Sequence, residues 1–295
     1  MTYSFTVFSF TLIQKPTFVL FVWLTLQSLV GIAQRPTSVT SSPYQLRKGR
    51  ELTILGVGVA AGATSLILEQ QVDPLTPDQV RALDRASVPA YDRGATYNYN
   101  LTLDKLRDVT LAGNAAIGGA LVLGTRPMRQ DFKTIAVMYA ETFILANGLQ
   151  RSVKNLAQRT RPFVYNPDAP LDEKLTRNAR QSFFSGHTTN AFATAVFTGE
   201  LFRHYFPQSR WKAAVWGGSF ALAATTILLS YEGGQHFPSD LLAGAVFGSV
   251  VGWGIPKLHE VRTGSRSAWI RQLDVQPWSN GQATGVFVRW TPVYP

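Results

Sequence analysis

The stretch from residue 230 to residue 240, SYEGGQHFPSD, holds a histidine and a carboxylate four residues apart. Pro238 suits the first turn of a helix, so we expect a helix to begin there, with His236 at its entrance and Asp240 in its opening turn. A carboxylate so placed can keep one imidazole nitrogen protonated and leave the other free to attack or to abstract a proton. The stretch therefore predicts an oriented, reactive histidine; the alternative is a capped helix with an incidental histidine.

Two further stretches are suited to binding an anion. Lys154 and Arg161 are seven residues apart, which returns to nearly the same face of a helix after two turns, so we expect the two cations to project together. Ser185 and Gly186 directly precede His187 and an apolar segment, and we expect them at a helix N-terminus, where free N–H groups attract an anion. These stretches predict that His187 lies beside a bound anion. A solvated basic face and a capping serine are the simpler alternatives.

Six stretches of helical length, apolar or rich in small residues, supply the elements that must position these side chains. They cover residues 52–68, 109–123, 132–149, 191–206, 213–229 and 241–255. Such stretches predict an all-helical bundle. The apolar character of these stretches favours membrane insertion. Most are shorter than the roughly 20 residues that a membrane span needs, which leaves a soluble bundle open.

Charge and composition restrict the partners. The chain of 295 residues has 28 Lys and Arg against 18 Asp and Glu, a net charge of +10, which favours an anionic partner such as a phosphate ester or a lipid headgroup. It has no run of charge long enough for a nucleic-acid arm, so we expect no nucleic-acid partner. The absence of Cys excludes disulfides, thiolate metal sites and thiol catalysis.

Residues 1–33 are typical of a targeting segment. Lys15 precedes an apolar run that ends in small residues, which predicts a signal peptide cleaved before Gln34, with an uncleaved anchor as the alternative. If the signal is cleaved and every apolar stretch spans, the basic connections 126–133 and 203–212 face outward, against the positive-inside tendency. One of these premises must then fail.

The remaining boundaries follow from composition. Residues 34–50, rich in Ser, Thr and Pro, are predicted to be a linker, and residues 51–260 to form the helical domain. In residues 261–295, period-two alternation around Ser279-Asn280-Gly281 predicts a small C-terminal β-hairpin.

Taken together and in this order, the three chemical stretches resemble the type 2 phosphatidic acid phosphatase superfamily, which also holds bacterial class A acid phosphatases and vanadium haloperoxidases. The resemblance covers residues 109–256. Lys154, six further residues and Arg161-Pro162 match the first motif of that family. Ser185-Gly186-His187 matches the second, with Phe184 where proline is usual. The segment from His236 to Asp240, followed by LLAG, matches the third.

The resemblance implies a metal-independent phosphatase that needs no cofactor. His236, oriented by Asp240, would attack phosphorus and form a phosphohistidine, while His187 would protonate the departing alkoxide and later activate water. The substrate implied is a phosphomonoester or diphosphate, in particular a lipid phosphate, met at the cell membrane with the site facing the periplasm. A soluble periplasmic protein is the alternative location.

The same resemblance assigns the groups that would hold the phosphate oxygens: Lys154, Arg161, Ser185, Gly186 and Ser230. Two other functions stay open. A vanadate-dependent haloperoxidase would use the histidine to ligate vanadium, and a non-catalytic member would bind an oxyanion without turnover.

One position departs from the family pattern. The family places an Arg upstream of the reactive histidine, with five residues between the two, and this chain has Ser230 there. A hydroxyl offers one hydrogen bond but neither charge nor a bidentate fork. We expect slower turnover or an altered substrate preference, unless Arg159, Arg177 or Arg180 compensates.

Overall fold

The computed structural model describes residues 42–261 and the backbone of two later strands. Six helices of 20 to 26 residues dominate the described part, and the predicted all-helical bundle is confirmed. We number them in chain order: α1 Lys48–Gln70, α2 Leu101–Gly124, α3 Phe132–Ala157, α4 Gly186–Tyr205, α5 Lys212–Glu232 and α6 Pro238–His259.

Most of the helices extend well beyond the apolar stretch that predicted them. Helix α2 begins at Leu101 instead of residue 109, and α3 ends at Ala157 instead of residue 149. The added turns hold charged and amide side chains, which ended the apolar patterns in the sequence. At a rise of 1.5 Å per residue, 20 residues extend for about 30 Å, the thickness of a bilayer core. The expectation that most segments are too short to span was therefore wrong.

Helix α4 is the centre of the bundle, in contact with α2, α3, α5 and α6. The short connections 125–131, 206–211 and 233–237 reverse the direction of the chain, so the helices that they join run antiparallel. Helix α1 runs parallel to α3, because Asn155 Nδ2 donates to the Ser65 carbonyl at 2.7 Å and Gly58 packs against Leu145. As a result α1, α3 and α5 end where α2, α4 and α6 begin. We call this end of the bundle the site end and the other the far end.

Four of the helices, α1, α2, α5 and α6, are long and apolar enough to cross a membrane. Large apolar side chains are more than half exposed on their outer faces, among them Leu52, Val59, Ile67 and Leu242. Such a surface is costly in water and suited to lipid tails. Helix α4 needs no apolar outer face, because four other helices surround it. The described helices indicate a membrane protein.

Three glycines at every fourth position of α6 bring this helix against the backbone of α4. A β-carbon at any of them would come within 2.8 Å of a carbonyl oxygen: Gly244 against Ser185, Gly248 against Thr189 and Gly252 against Ala193. Small residues at this spacing let membrane helices touch through their backbones. The first turn of α6 therefore lies against the start of α4, where the Ser185 N–H donates to the Asp240 carbonyl at 3.2 Å.

The connections at the site end are residues 71–100, 158–185 and 233–237, and the first two are the longer ones. The two longer connections contain the short helices Pro77–Arg81, Ala90–Arg93 and Leu171–Lys174. A fourth short helix, Arg126–Gln130, lies at the far end. The long connections thus cover the end of the bundle at which α4 and α6 begin.

The C-terminal residues form a separate unit that begins after His259. Within it the strands β1, Leu273–Ser279, and β2, Thr284–Trp290, pair in antiparallel register from Leu273 opposite Trp290 to Ser279 opposite Thr284. The turn predicted around Asn280 and Gly281 and the targeting segment predicted in residues 1–33 lie outside the described residues.

The contact between α4 and α6 gives a prediction about stability. Gly248→Ala places a methyl group against the Thr189 carbonyl, and such overpacking typically costs about 1–3 kcal/mol. We expect a lower midpoint of thermal unfolding for the detergent-solubilised protein. Gly254→Ala on the same helix is the control, because a β-carbon there meets nothing within 4 Å, and it should stabilise the helix by up to about 1 kcal/mol. Equal midpoints for the two variants would contradict the close packing.

Candidate active site

The two predicted histidines lie at the site end, each beside the start of a helix. His187 is the second residue of α4, and His236 lies two residues before α6. Ser185 is the N-cap of α4, its Oγ accepting the Thr188 N–H at 3.3 Å, and Gly186 is the first helical residue. Both helix entrances predicted from the sequence are therefore present.

His236 is held by a backbone carbonyl. Its ring is 1 % exposed, and its Nδ1 lies 2.8 Å from the carbonyl oxygen of Ser182. Because a carbonyl can only accept, Nδ1 carries the proton and Nε2 keeps its lone pair. The Asp240 carboxylate lies 3.9 Å from Nδ1, too far for a hydrogen bond. The prediction that Asp240 orients this histidine by direct contact was therefore wrong.

Asp240 instead fixes the segments on both sides of the histidine. Its carboxylate accepts from the Ser182 hydroxyl at 2.6 Å and from the Phe237 N–H at 3.0 Å, and it pairs with Arg159. Arg159 also bonds the buried Asp92 at 2.7 Å. Asp240 thus positions the residue whose carbonyl orients the histidine, so its influence on the imidazole passes through Ser182.

The surroundings of His236 favour its neutral form. Burial lowers the pKa of His236 well below its usual value, and the positive charges of Arg161, Lys154 and Arg107, with that of His187, lower it further. A histidine whose pKa is lowered loses its proton at a lower pH, so the ring is neutral at pH 7. Neutral imidazole with a free Nε2 is the form that acts as a nucleophile.

His187 is the more accessible histidine. Its side chain is 33 % exposed, and its Nε2 lies 2.8 Å from Oδ1 of Asp108 on α2, which is 68 % exposed. A carboxylate at this distance orients the imidazole ring. A carboxylate therefore does orient a histidine of the site, but the pair is His187 with Asp108 and not His236 with Asp240.

The two predicted cations reach the site from different elements. Helix α3 ends at Ala157, and Gln158 turns the chain with a left-handed φ of 44°, so Arg161 lies beyond the helix in extended backbone. The expectation that Lys154 and Arg161 share a helix face was wrong. Both charges nevertheless lower the pKa of His236, which places them around the same imidazole.

In residues 42–261, neither Lys154 nor Arg161 forms an ion pair with a carboxylate. Arg161 is buried, and its guanidinium donates to the carbonyl and side chain of Asn178 at 2.8 Å and to Oε1 of Gln235 at 2.7 Å, all neutral acceptors. Burial and then the charge of Arg107 lower the pKa of Arg161 to about 10, so it stays charged at pH 7. The side-chain ammonium of Lys154 has no hydrogen bond or ion pair among the residues that the structure describes. The site therefore carries positive charge that an anion can neutralise.

Ser230 does not serve as predicted. It is fully buried, and its hydroxyl donates to the Thr226 carbonyl one turn earlier in α5 at 2.7 Å, so no proton is left for a phosphate oxygen. Of the three arginines expected to compensate, Arg159 is paired with two aspartates and Arg180 donates to the carbonyl of Asp73 at 3.2 Å. Arg177 is exposed.

Two residues of α2 were missed in the sequence. Asp108 pairs with His187, and Arg107 is buried close enough for its charge to act on His236. The apolar stretch that predicted α2 began at residue 109 and left both out. A signal was present: Asp104, Arg107 and Asp108 have the spacing of one helix face at the start of an apolar segment.

One group of potential metal ligands exists in residues 42–261, and it is remote from the histidine site. Ligand atoms of Glu51, Glu141 and His259 lie within 4.8 Å of one another. His259 Nδ1 donates to the Ile255 carbonyl at 2.8 Å, and its Nε2 lies 3.1 Å from both carboxylates. His259 ends α6 while Asp240 begins it, which separates them by about 28 Å along the helix.

The fold and the site together define a helical membrane protein with two histidines and a group of buried cations at one end of its bundle. Residues 135–263 match the family model of the PAP2 superfamily. This part of the chain is similar to that superfamily, and the resemblance found in the sequence is confirmed.

Two curated relatives and one solved structure are similar to this chain. A lipid A 4'-phosphatase of Porphyromonas gingivalis is 31% identical over 94 residues, which are 32% of this chain and 35% of the relative. A lipid A 4'-phosphatase of Bacteroides thetaiotaomicron is 32% identical over 126 residues, 40% of this chain and 50% of the relative. The matches thus span only one third to one half of these relatives. The crystal structure of a transmembrane PAP2-type phosphatidylglycerolphosphate phosphatase from Bacillus subtilis is 18% identical, covering 81% of this chain and 94% of that one, with a TM-score of 0.35.

The environment of His236 can be tested without any assay of activity. In protein labelled with ¹⁵N at histidine, we expect His236 to give the resonances of neutral imidazole protonated at Nδ1 at pH 6.5, and to titrate only at lower pH. Arg161→Gln removes the neighbouring charge that acts most strongly on this ring and should move the titration to higher pH. The resonances are assigned by their loss in His236→Gln. A His236 that is half protonated at pH 6.5 would contradict the electrostatics described here.

Proposed function

We propose that this chain is a membrane phosphatase that removes phosphate from a lipid through a phosphohistidine intermediate. The observation that carries the proposal is a buried, neutral His236 surrounded by Lys154 and Arg161, two cations without a carboxylate partner. A bound phosphate would supply the missing negative charge. It would also bring its phosphorus next to the free Nε2 of the histidine.

In the first step Nε2 of His236 attacks phosphorus. A P–N bond forms, the P–O bond to the lipid breaks, and the departing alkoxide takes a proton from His187, whose ring Asp108 orients. In the second step His187 accepts a proton from water, the water oxygen attacks phosphorus, and the P–N bond breaks to release phosphate. Lys154, Arg161 and the N–H groups at the start of α4 hold the phosphate oxygens in both steps.

The membrane-spanning bundle and the names of the curated relatives support a lipid as the substrate. Both relatives are called lipid A 4'-phosphatases, so a phosphomonoester on a lipid A-type glycolipid is the first substrate that we propose. The site lies at the end of the bundle, among connections that cover it, where a headgroup at the membrane surface can reach His187. Phosphatidate and undecaprenyl diphosphate are the other candidates.

We further propose that the site faces the periplasm. The connections at the far end and the start of α1 are short and basic, in segments 47–50, 126–133 and 203–212, and the positive-inside rule favours the cytoplasm for such loops. All three lie at one end, and they hold nine Lys and Arg in 22 residues against eight in the 58 residues of connections 71–100 and 158–185. With six spans, this higher density of positive charge agrees with the rule. The same orientation puts residue 47 inside, which favours an uncleaved N-terminal anchor over a signal cleaved before Gln34.

The absence of cysteine makes the orientation testable by labelling. We expect a membrane-impermeant maleimide to label Asp172→Cys at the site end in cells with a permeabilised outer membrane. Gln208→Cys at the far end should react only after the inner membrane is opened. Both positions are exposed, so accessibility in detergent serves as the control. The reverse pattern would contradict a periplasmic site.

The activity predicts the behaviour of the histidine variants. Purified protein should release phosphate from a lipid A-type phosphomonoester, and the panel includes phosphatidate, undecaprenyl diphosphate and a soluble ester. His236→Ala should abolish release, and His187→Ala should lower it by about 10²–10⁴-fold, the usual contribution of a general acid. His204→Ala, at the far end, should retain activity. Equal release by all the proteins would contradict the site, and bromide oxidation dependent on vanadate would indicate a haloperoxidase instead.

A further inference from the structure

Arg107 is a buried guanidinium with too few partners. It is 7 % exposed, and its described ion pair, from Nη2 to Asp104 one turn earlier in α2, measures 2.8 Å. Its Nε and Nη1 are buried and have no hydrogen-bond partner in the described part of the chain. Burying charged donors without acceptors is costly, because each loses its hydration and gains nothing in return. Arg107 thus has two N–H donors from which a bound anion can accept hydrogen bonds.

The free donors of Arg107 belong to the histidine site. The next residue, Asp108, holds His187, and the charge of Arg107 lowers the pKa of His236 and of Arg161. His187, His236 and Arg161 come from separate parts of the chain and surround the proposed phosphate. A guanidinium among them meets the same bound anion.

The register of α2 against α5 places Arg107 beside the position where the family usually has its arginine. Thr110 Oγ1 lies 2.8 Å from Thr226 Oγ1, and a β-carbon on Gly233 would lie 3.5 Å from the Asp104 nitrogen. Residue 107 is midway between 104 and 110, so it is level with Ser230 on the neighbouring helix. Ser230 is small, fully buried and bonded to its own helix, which leaves the space between the helices to the longer side chain.

We propose that Arg107 binds the phosphate group of the substrate and replaces, from helix α2, the cation that Ser230 lacks. The inference rests on the proposed function and adds a residue to it. Nε or Nη1 would donate to a phosphate oxygen, and the guanidinium would keep a fixed positive charge beside the anion. Together with Lys154 and Arg161 it completes a set of three cations around the anion.

Kinetics of four variants test the proposal: Arg107→Ala, Arg107→Lys, Ser230→Arg and the double variant Arg107→Ala/Ser230→Arg. Loss of one fixed donor to a developing charge lowers kcat by about 10²–10³-fold, and we expect a loss of that size in kcat/KM for Arg107→Ala. Lysine should recover part of it. The double variant should recover at least about tenfold over Arg107→Ala, because the guanidinium returns on the adjacent helix. Lys105→Ala, exposed on the same helix, is the matched control and should behave as wild type.

Thermal unfolding separates a binding role from a structural one. Orthovanadate or phosphate should raise the unfolding midpoint of wild type by mass action and leave that of Arg107→Ala nearly unchanged. Without an anion, Arg107→Ala should unfold no earlier than wild type, since a buried charge with unpaired donors is removed. A merely structural arginine would lower this midpoint.

The outcomes distinguish the inference from the proposed function. Wild-type turnover and vanadate response in Arg107→Ala would overturn the inference and leave the phosphatase intact. A double variant that is as stable as wild type but no more active than Arg107→Ala would overturn it too. If wild type cleaves no phosphate ester and yet shows a phosphate response that depends on Arg107, the proposed function fails and the anion site stands.

Discussion

The direct contact between the backbones of α4 and α6 is the constraint on which the site depends. Glycines at 244, 248 and 252 leave no side chain on α6 along this line, so the two parallel helices touch through their backbones and Gly244 is level with Ser185 at the start of α4. The start of α4 brings Ser185, Gly186 and His187, and the start of α6 brings Asp240 with the histidine before it. A wider helix pair would separate the two imidazoles, and no local contact at the site end would restore their spacing.

The arginines near the site are of two kinds, those paired with carboxylates of the fold and those without such a partner in the described residues. Arg159 pairs with two buried carboxylates, Asp92 and Asp240, and ties the connections of the site end to α6. Arg161 has only neutral acceptors, and Arg107 leaves two donors unused. Charges of the first kind are neutralised within the fold. Those of the second kind keep a positive potential around His236, which lowers its pKa and attracts a phosphate.

Much of the architecture could be predicted from the sequence, because apolar periodicity and helix entrances are local features. The apolar stretches gave the six helices, and Ser185 and Pro238 marked two helix starts. Helix ends were underestimated wherever charged side chains entered the last turns, and Gln158 ended α3 where a continuous helix had been assumed.

The site was less predictable, because its hydrogen bonds join residues far apart in the chain. The Ser182 carbonyl orients His236 from 54 residues away, and Asp108 reaches His187 across 79 residues. A single sequence shows which residues can do chemistry but not which of two carboxylates meets which histidine. Arg107 could be recognised only once the register of α2 and α5 was known.

The central claim is that Nε2 of His236 takes up the phosphoryl group, and trapping the phosphoenzyme tests it most directly. Rapid quenching of the purified protein during turnover of a ³²P-labelled lipid phosphate should give an acid-labile, alkali-stable label, as expected of phosphohistidine. The label should map to the peptide that contains residue 236 and be absent from His236→Ala. A label on another residue, or full turnover with no labelled protein at any time, would contradict the account.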